Sequence, residues 1–227
     1  MIRFVLMDIE GTTTSIDFVH KVLFPYASQY LRQYVKNHIE EDRIQKNLLE
    51  VKETVKQESG RLIADHEAID QLLSWIIDDR KHSALKELQG FMWKEGYESG
   101  QYKAHLYEDV LPQIRSWYDK GLELGVYSSG SIAAQKLLFK YSEKGDLTPY
   151  LGAYFDTTIG YKREVSAYEN IQKKLGIPSA HILFLSDVEA ELDAAQSAGF
   201  QTVQLVRPGT LPSSKHKTAH GFDEISI

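Results

Sequence analysis

Met7-Asp8-Ile9-Glu10-Gly11-Thr12-Thr13-Thr14 follows a short, mostly apolar run, Ile2-Arg3-Phe4-Val5-Leu6. The run is too short for a helix and suits a strand buried on both faces. At its end two carboxylates stand two positions apart. Side chains i and i+2 of an extended chain point to one side, so Asp8 and Glu10 are expected to project together. Gly11 permits a tight turn, and three threonines bring hydroxyls and backbone N–H groups. Acids and donors at the carboxyl end of a buried strand mark the place where open α/β sheets bind ligands. The same residues also make an ordinary polar strand end with a turn, and this stretch alone leaves both readings open.

Downstream the pattern turns helical. Segments 17–37, 39–59, 65–81 and 84–94 each carry an apolar stripe at helical spacing, with Pro25 expected to kink or break the first. No convincing strand falls between 15 and 100. Gly96 and Gly100 bracket a candidate hinge. Strand and helix then alternate: strands at 122–127, 154–159, 181–185 and 202–206, helices at 113–120, 132–141, 166–175 and 189–198. The tail beyond Arg207-Pro208-Gly209 is polar as far as Phe222 and gives no clear signal. Alternation of this kind implies an α/β fold with a doubly wound parallel sheet. The helical block separates the first strand from the others, so it reads as an insert, 15–103, in a core formed by 1–14 and 104–227.

Composition narrows the classes of function. Hydrophobic residues make up 42% of the 227 and charged ones 26%, which suits an ordinary globular chain. The net charge of −6 offers no basic footprint for nucleic acid. Cysteine is absent, excluding disulfides, thiolate metal sites and cysteine nucleophiles. No apolar run approaches the ~20 residues of a membrane span, and the N-terminus lacks the sections of a signal peptide. A cytoplasmic enzyme with a small-molecule substrate is expected, without a membrane or nucleic-acid partner.

Polar residues gather at the strand ends in chain order. Asp8 and Glu10 follow the first strand, Ser128, Ser129 and Gly130 the second, Lys162 the third and Asp187 the fourth, with Glu191 four residues later. Singly each has a plain explanation: a serine N-cap, a surface lysine, acids placed on a helix dipole. Together they suit phosphoryl transfer. Asp8 would attack phosphorus, and Glu10 would protonate the leaving alcohol and later activate water. Asp8 and Asp187 would hold Mg²⁺, a hard cation that prefers oxygen ligands. Ser128 and Lys162 would bind the phosphate oxygens.

Asp8-Ile9-Glu10-Gly11-Thr12, Ser128, Lys162 and Ser186-Asp187 resemble the four motifs of the haloacid dehalogenase superfamily, and an insert directly after the first motif resembles its cap. The usual second acid there is aspartate; here it is Glu10. One family of the superfamily has glutamate at that position. The strings Asp-Ile-Glu-Gly-Thr-Thr-Thr, Leu23-Phe24-Pro25-Tyr26, Lys103-Ala104-His105, Tyr127-Ser128-Ser129-Gly130-Ser131 and Phe155-Asp156-Thr157 resemble that family, the enolase-phosphatases of methionine salvage, across both core and cap. The resemblance implies a Mg²⁺-dependent, usually monomeric enzyme. It would enolise 5-(methylthio)-2,3-dioxopentyl phosphate and then remove the phosphate, giving the acireductone. It also implies metal binding by Asp8, Glu10 and Asp187, and substrate-phosphate contacts from Ser128, Ser129 and Lys162. Glu10 would meet the metal through water, because a directly bound acid is hard to keep protonated. The enolisation base is less well placed: Glu10 and the hinge residues Lys103 and His105 are the candidates. The rival readings are a phosphatase of the same superfamily for other small phosphate esters, a dehalogenase, and a non-catalytic binding module.

Overall fold

The computed structural model describes all residues, 1–227. The chain forms two compact units, one made of Met1–Phe18 with Lys103–Ile227 and the other of Val19–Tyr102.

The first unit is built on a six-stranded, wholly parallel sheet in the order β3-β2-β1-β4-β5-β6. The strands are β1 (Phe4–Met7), β2 (Glu123–Tyr127), β3 (Ala153–Phe155), β4 (Ile182–Ser186), β5 (Gln201–Leu205) and β6 (Lys217–Ala219). β1 lies at the centre, and all four of its residues are buried, as a strand covered on both faces requires. It pairs with β2 and β4, which follow it by long stretches of chain. The strand order reverses between β1 and β4, and ligands bind at the carboxyl ends beside such a switch.

Four helices connect these strands: α6 (Val110–Asp119), α7 (Ile132–Lys140), α8 (Val165–Leu175) and α9 (Glu189–Ser197). With right-handed crossovers, α6 and α7 fall on one face, and α8 and α9 on the other. The packing agrees. Phe4 and Leu6 of β1, with Ile182 and Phe184 of β4, share one apolar cluster with Ala167, Tyr168 and Ile171 of α8 and Leu192 and Ala195 of α9. Even-numbered residues of β1 therefore face α8 and α9. Asp8, next in that alternation, is directed to the same side.

Two expectations are corrected. The strand expected at 154–159 is shorter, Ala153–Phe155. Asp156 Oδ1 accepts both the backbone N–H (3.0 Å) and the hydroxyl (2.6 Å) of Thr158, a local turn that ends the strand. The polar tail contributes β6, which was not expected. The tail is held by Arg207, whose guanidinium forks onto Asp109 (Nη1–Oδ1 2.9 Å, Nη2–Oδ2 2.7 Å) and donates to His220 O at 3.0 Å. Phe222 N–H donates to Asp109 Oδ2 at 2.7 Å.

The second unit is helical. A short α1 (Ile16–Phe18), belonging to the first unit, precedes a π-helical turn over Val19–Leu23. Then follow α2 (Phe24–Asn37), α3 (Asp42–Ser59), α4 (Asp65–Ile77) and α5 (Ser83–Glu98). Pro25 sits in the first turn of α2, directly after the π-helical turn, and the helical backbone runs on through Leu23 at φ −68°, ψ −46°. Leu31, Val35, Leu48, Val51, Leu72, Trp75, Leu88 and Met92 close a core of the unit's own. Gly96 is not a free hinge. It lies inside α5 with the Tyr102 ring so close that a Cβ would stand 2.7 Å from it.

Leu88→Ala should destabilise the protein by about 2–5 kcal/mol, because the fully buried site leaves a cavity; urea unfolding measures it. Acid should loosen the tail. Burial opposes the charge on Asp109, but hydrogen bonds from Arg207 and the Phe222 N–H more than offset it and hold its pKa below the ordinary 3.8. The unfolded chain takes up that proton first. The stabilisation is therefore complete above about pH 4 and is lost as the pH falls through the depressed value. Asp109→Asn should flatten that part of the acid-unfolding profile.

Candidate active site

Asp8 lies one residue beyond β1, and its N–H donates to Leu185 O at 2.8 Å, carrying the pairing with β4 past the strand. The side chain is 3% exposed. Ile9 N–H donates to Oδ1 at 2.7 Å, and Lys162 Nζ lies 2.5 Å from the same oxygen. Ser186 Oγ stands 3.2 Å from Oδ2.

Lys162 enters from the loop after β3. Gly160 in that loop has φ +142°, and a Cβ there would lie 2.8 Å from Ala167 Cβ, so glycine is needed for the loop to pass α8. The Tyr127 hydroxyl donates to Gly160 O and the Tyr168 hydroxyl to Lys162 O, at 2.8 and 2.7 Å. The ammonium is buried between two carboxylates, Asp8 and Glu191 Oε2, the latter at 2.7 Å. Burial disfavours its charge, but the two acids more than offset this, and its pKa stays above the ordinary lysine value. The plain surface-lysine reading is thus excluded by position: Lys162 is 7% exposed.

Ser186 Oγ lies 3.0 Å from Glu191 Oε2 as well as near Asp8, while accepting Val188 N–H at 3.1 Å. One hydroxyl proton serves one carboxylate at a time, so both contacts are satisfied when Glu191 carries a proton. Burial and the charge of Asp8 push the pKa of Glu191 up to about 7, which makes that form accessible.

Glu10 is oriented by Ser128, whose Oγ donates to Oε2 at 3.1 Å and accepts Gly130 N–H at 3.1 Å. Burial and the charge of Asp8 raise its pKa. Asp187, after β4, lies against Gly11, which has φ +76°; a Cβ there would stand 2.3 Å from the carboxylate. Only glycine fits. Asp187 N–H donates to Thr12 Oγ1 at 3.1 Å, and burial with the Asp8 charge lifts the Asp187 pKa to about 6.

The structure thus joins Asp8 directly to Lys162, and couples Asp8 by charge to Glu10 and Asp187, with Ser128 attached through Glu10. Ser129 lies exposed beside Ser128. The threonines do not face outward as donors. The N–H groups of Thr12, Thr13 and Thr14 all donate to Ile9 O, and the Thr13 hydroxyl does the same. The hydroxyls of Thr12 and Thr14 meet Asp187 and His105 Nδ1. The helix N-cap after β2 is Ser131. Of the hinge candidates, Lys103 is exposed, whereas His105 Nδ1 accepts Ser15 N–H at 3.2 Å. Sequence reasoning named Ser186 in a motif without giving it a role, and gave Glu191 only a helix-dipole role. Its available signal was the four-residue spacing from Asp187, one helical turn.

No three acids or histidines draw together into a closed ligand shell. Asp8 and Asp187 nevertheless lie close enough for the charge of one to raise the pKa of the other. Such a donor set, all oxygen and like-charged, fits a hard divalent cation that retains part of its water.

A family model for haloacid dehalogenase-like hydrolases matches residues 2–199. Enolase-phosphatase E1 of Picosynechococcus sp. is 49% identical over 226 residues, spanning 100% of this chain and 99% of its own. The enzymes of that name from Erwinia tasmaniensis (47%, 100% and 97%) and Yersinia enterocolitica (49%, 100% and 98%) are similarly close. Among solved structures, the UTR4 protein of Saccharomyces cerevisiae aligns with a TM-score of 0.81 at 34% identity, covering 99% of this chain and 100% of that one. CbbY of Rhodobacter sphaeroides in complex with phosphate has a TM-score of 0.59 at 16% identity, covering 99% and 96%, and shares the fold. A β1 that brings Asp8 to a buried lysine, in a chain matched over its full length to these relatives, leads to one assignment: the chain is an enzyme of the enolase-phosphatase E1 family within the haloacid dehalogenase-like hydrolases.

Proposed function

We propose that this enzyme enolises 5-(methylthio)-2,3-dioxopentyl phosphate and then hydrolyses its phosphate ester to give the acireductone of methionine salvage. The observation that carries the phosphatase half is the placement of Asp8 on a central strand end, fixed by Ile9 N–H and Lys162, with Glu10 beside it and turned by Ser128. Asp8 attacks phosphorus and becomes the aspartyl-phosphate while the bond from phosphorus to the substrate oxygen breaks. Glu10 gives its proton to that departing oxygen. It then takes one from the water that cleaves the acyl phosphate, restoring Asp8 and releasing inorganic phosphate. Lys162, Ser128 and Ser129 bind the phosphate oxygens. Asp8 and Asp187, with Glu10 through water, would hold Mg²⁺, which when bound offsets phosphate charge and polarises the diketone. The helical insert serves as the cap that limits water, and the enzyme acts as a cytoplasmic monomer.

The deciding experiment mixes enzyme, diketone phosphate and Mg²⁺ and follows enol absorbance and inorganic phosphate together. Enol should appear before phosphate, and a chelator should suppress both. Phosphate from many unrelated esters, with no enol signal, would instead favour a general phosphatase; neither product would leave a binding module. Asp8→Asn should lower phosphate release on the order of 10⁴-fold and remove the phosphate adduct seen by mass spectrometry of acid-quenched enzyme. Glu10→Gln should lower phosphate release by roughly 10²–10⁴-fold, with the loss in kcat rather than KM in steady-state assays.

A further inference from the structure

We propose that Arg207 is a positioning residue for the active site, setting the place of Asp187 through Thr12. This rests on the functional reading above, in which Asp187 is a metal ligand. Arg207 is 7% exposed and engages every N–H a guanidinium has. Three bonds belong to the tail clamp: two to the Asp109 carboxylate and one to His220 O. The other two, from Nε at 3.2 Å and Nη2 at 3.1 Å, converge on the carbonyl of Thr12.

That carbonyl belongs to the turn bearing Glu10 and Gly11. The same Thr12 accepts Asp187 N–H through its hydroxyl, which also lies 3.5 Å from Asp187 Oδ1. One residue is thus gripped by its backbone from Arg207 and grips Asp187 by its side chain. A shift of Thr12 moves the partner of the Asp187 amide, and it also moves Gly11, against which the Asp187 carboxylate is packed without room for a methyl group. The guanidinium lies 4.0 Å from the Tyr107 ring centroid, and Tyr107 N–H donates to Thr13 O at 3.1 Å, so the stack and the turn share a support.

A plain structural clamp needs only the Asp109 and His220 bonds. Two donors on one carbonyl of the acidic turn are additional, and only a planar fork can supply them together with the Asp109 pair. Lysine keeps the charge but offers point donors without that geometry.

The test compares wild type, Arg207→Lys, Thr12→Val and the double variant. Valine keeps the carbonyl that Arg207 holds and removes only the hydroxyl. Three quantities are read: thermal unfolding, Mg²⁺ affinity of the substrate-free protein by calorimetry, and kcat and KM for phosphate release. Each single variant should weaken Mg²⁺ binding roughly 10–100-fold, the scale for groups that orient metal ligands, and lower kcat similarly with KM little changed. The double variant should be no worse than the poorer single one, because both cut one linkage. Wild-type Mg²⁺ affinity and kcat in folded Arg207→Lys, or losses that multiply, would overturn the proposal. If Arg207→Lys does not fold, Thr12→Val alone decides: unchanged Mg²⁺ affinity overturns it. A wild-type protein that neither binds Mg²⁺ nor releases phosphate would break the functional reading itself, which is distinct from variants that merely match an active wild type.

Discussion

The ammonium of Lys162 sits in the interior with Asp8 on one side and Glu191 on the other. A buried cation of this kind persists only when it is paired, and removing one partner of a buried pair costs about 3–5 kcal/mol. The arrangement makes demands on the whole core. Asp8 must emerge beyond β1, Lys162 must turn in after β3, and Glu191 must lie in the first turn of the helix after β4. The order β3-β2-β1-β4 and the placement of α8 and α9 on one face bring those three points together. The glycine at 160 and the hydroxyls of Tyr127 and Tyr168 then fix the lysine's backbone rather than its tip.

Charge balance distinguishes this cluster from an ordinary ion pair. The charge of Asp8 acts on Glu10, Asp187 and Glu191, with Lys162 as the cation among them. Burial and the charge of Asp8 lift the pKa values of Glu10, Asp187 and Glu191, so these acids keep their protons to higher pH than exposed carboxylates do. Their surroundings are unequal. Asp8 receives a backbone N–H and the lysine, whereas Glu10 receives a serine hydroxyl and less cationic help. Different environments for neighbouring carboxylates are what allow one to act as nucleophile and another to carry a proton.

Much of this was legible before any coordinates. Alternation of strand and helix, with polar residues at each strand end, placed Asp8, Ser128, Lys162 and Asp187 at the mouth of a parallel sheet. What was hidden had physical reasons. β6 has three residues, Lys217, Thr218 and Ala219, and only the last is buried, so no apolar rhythm announces it. The end of β3 is set by one Asx-type turn, a contact between neighbours that hydrophobic period does not report. Glu191 in a first helical turn looks like any acid placed on a helix dipole; its pairing with a lysine far back in the chain is tertiary. The threonines illustrate the converse error. Their donors were visible, but the tight turn closed by Gly11 consumes them locally.

The central strand is made well before its neighbours. The hydrogen-bonding partners of β1, β2 and β4, lie on the far side of the helical insert in the chain. The insert closes its own apolar cluster from contiguous sequence and need not wait. On a ribosome, therefore, β1 leaves the tunnel as an orphan: a fully apolar β-strand with neither edge covered until the whole helical insert has been synthesised as well. Long-range pairing of this kind is slow and exposed to aggregation, so the unpaired strand is a hazard for as long as the insert is being made.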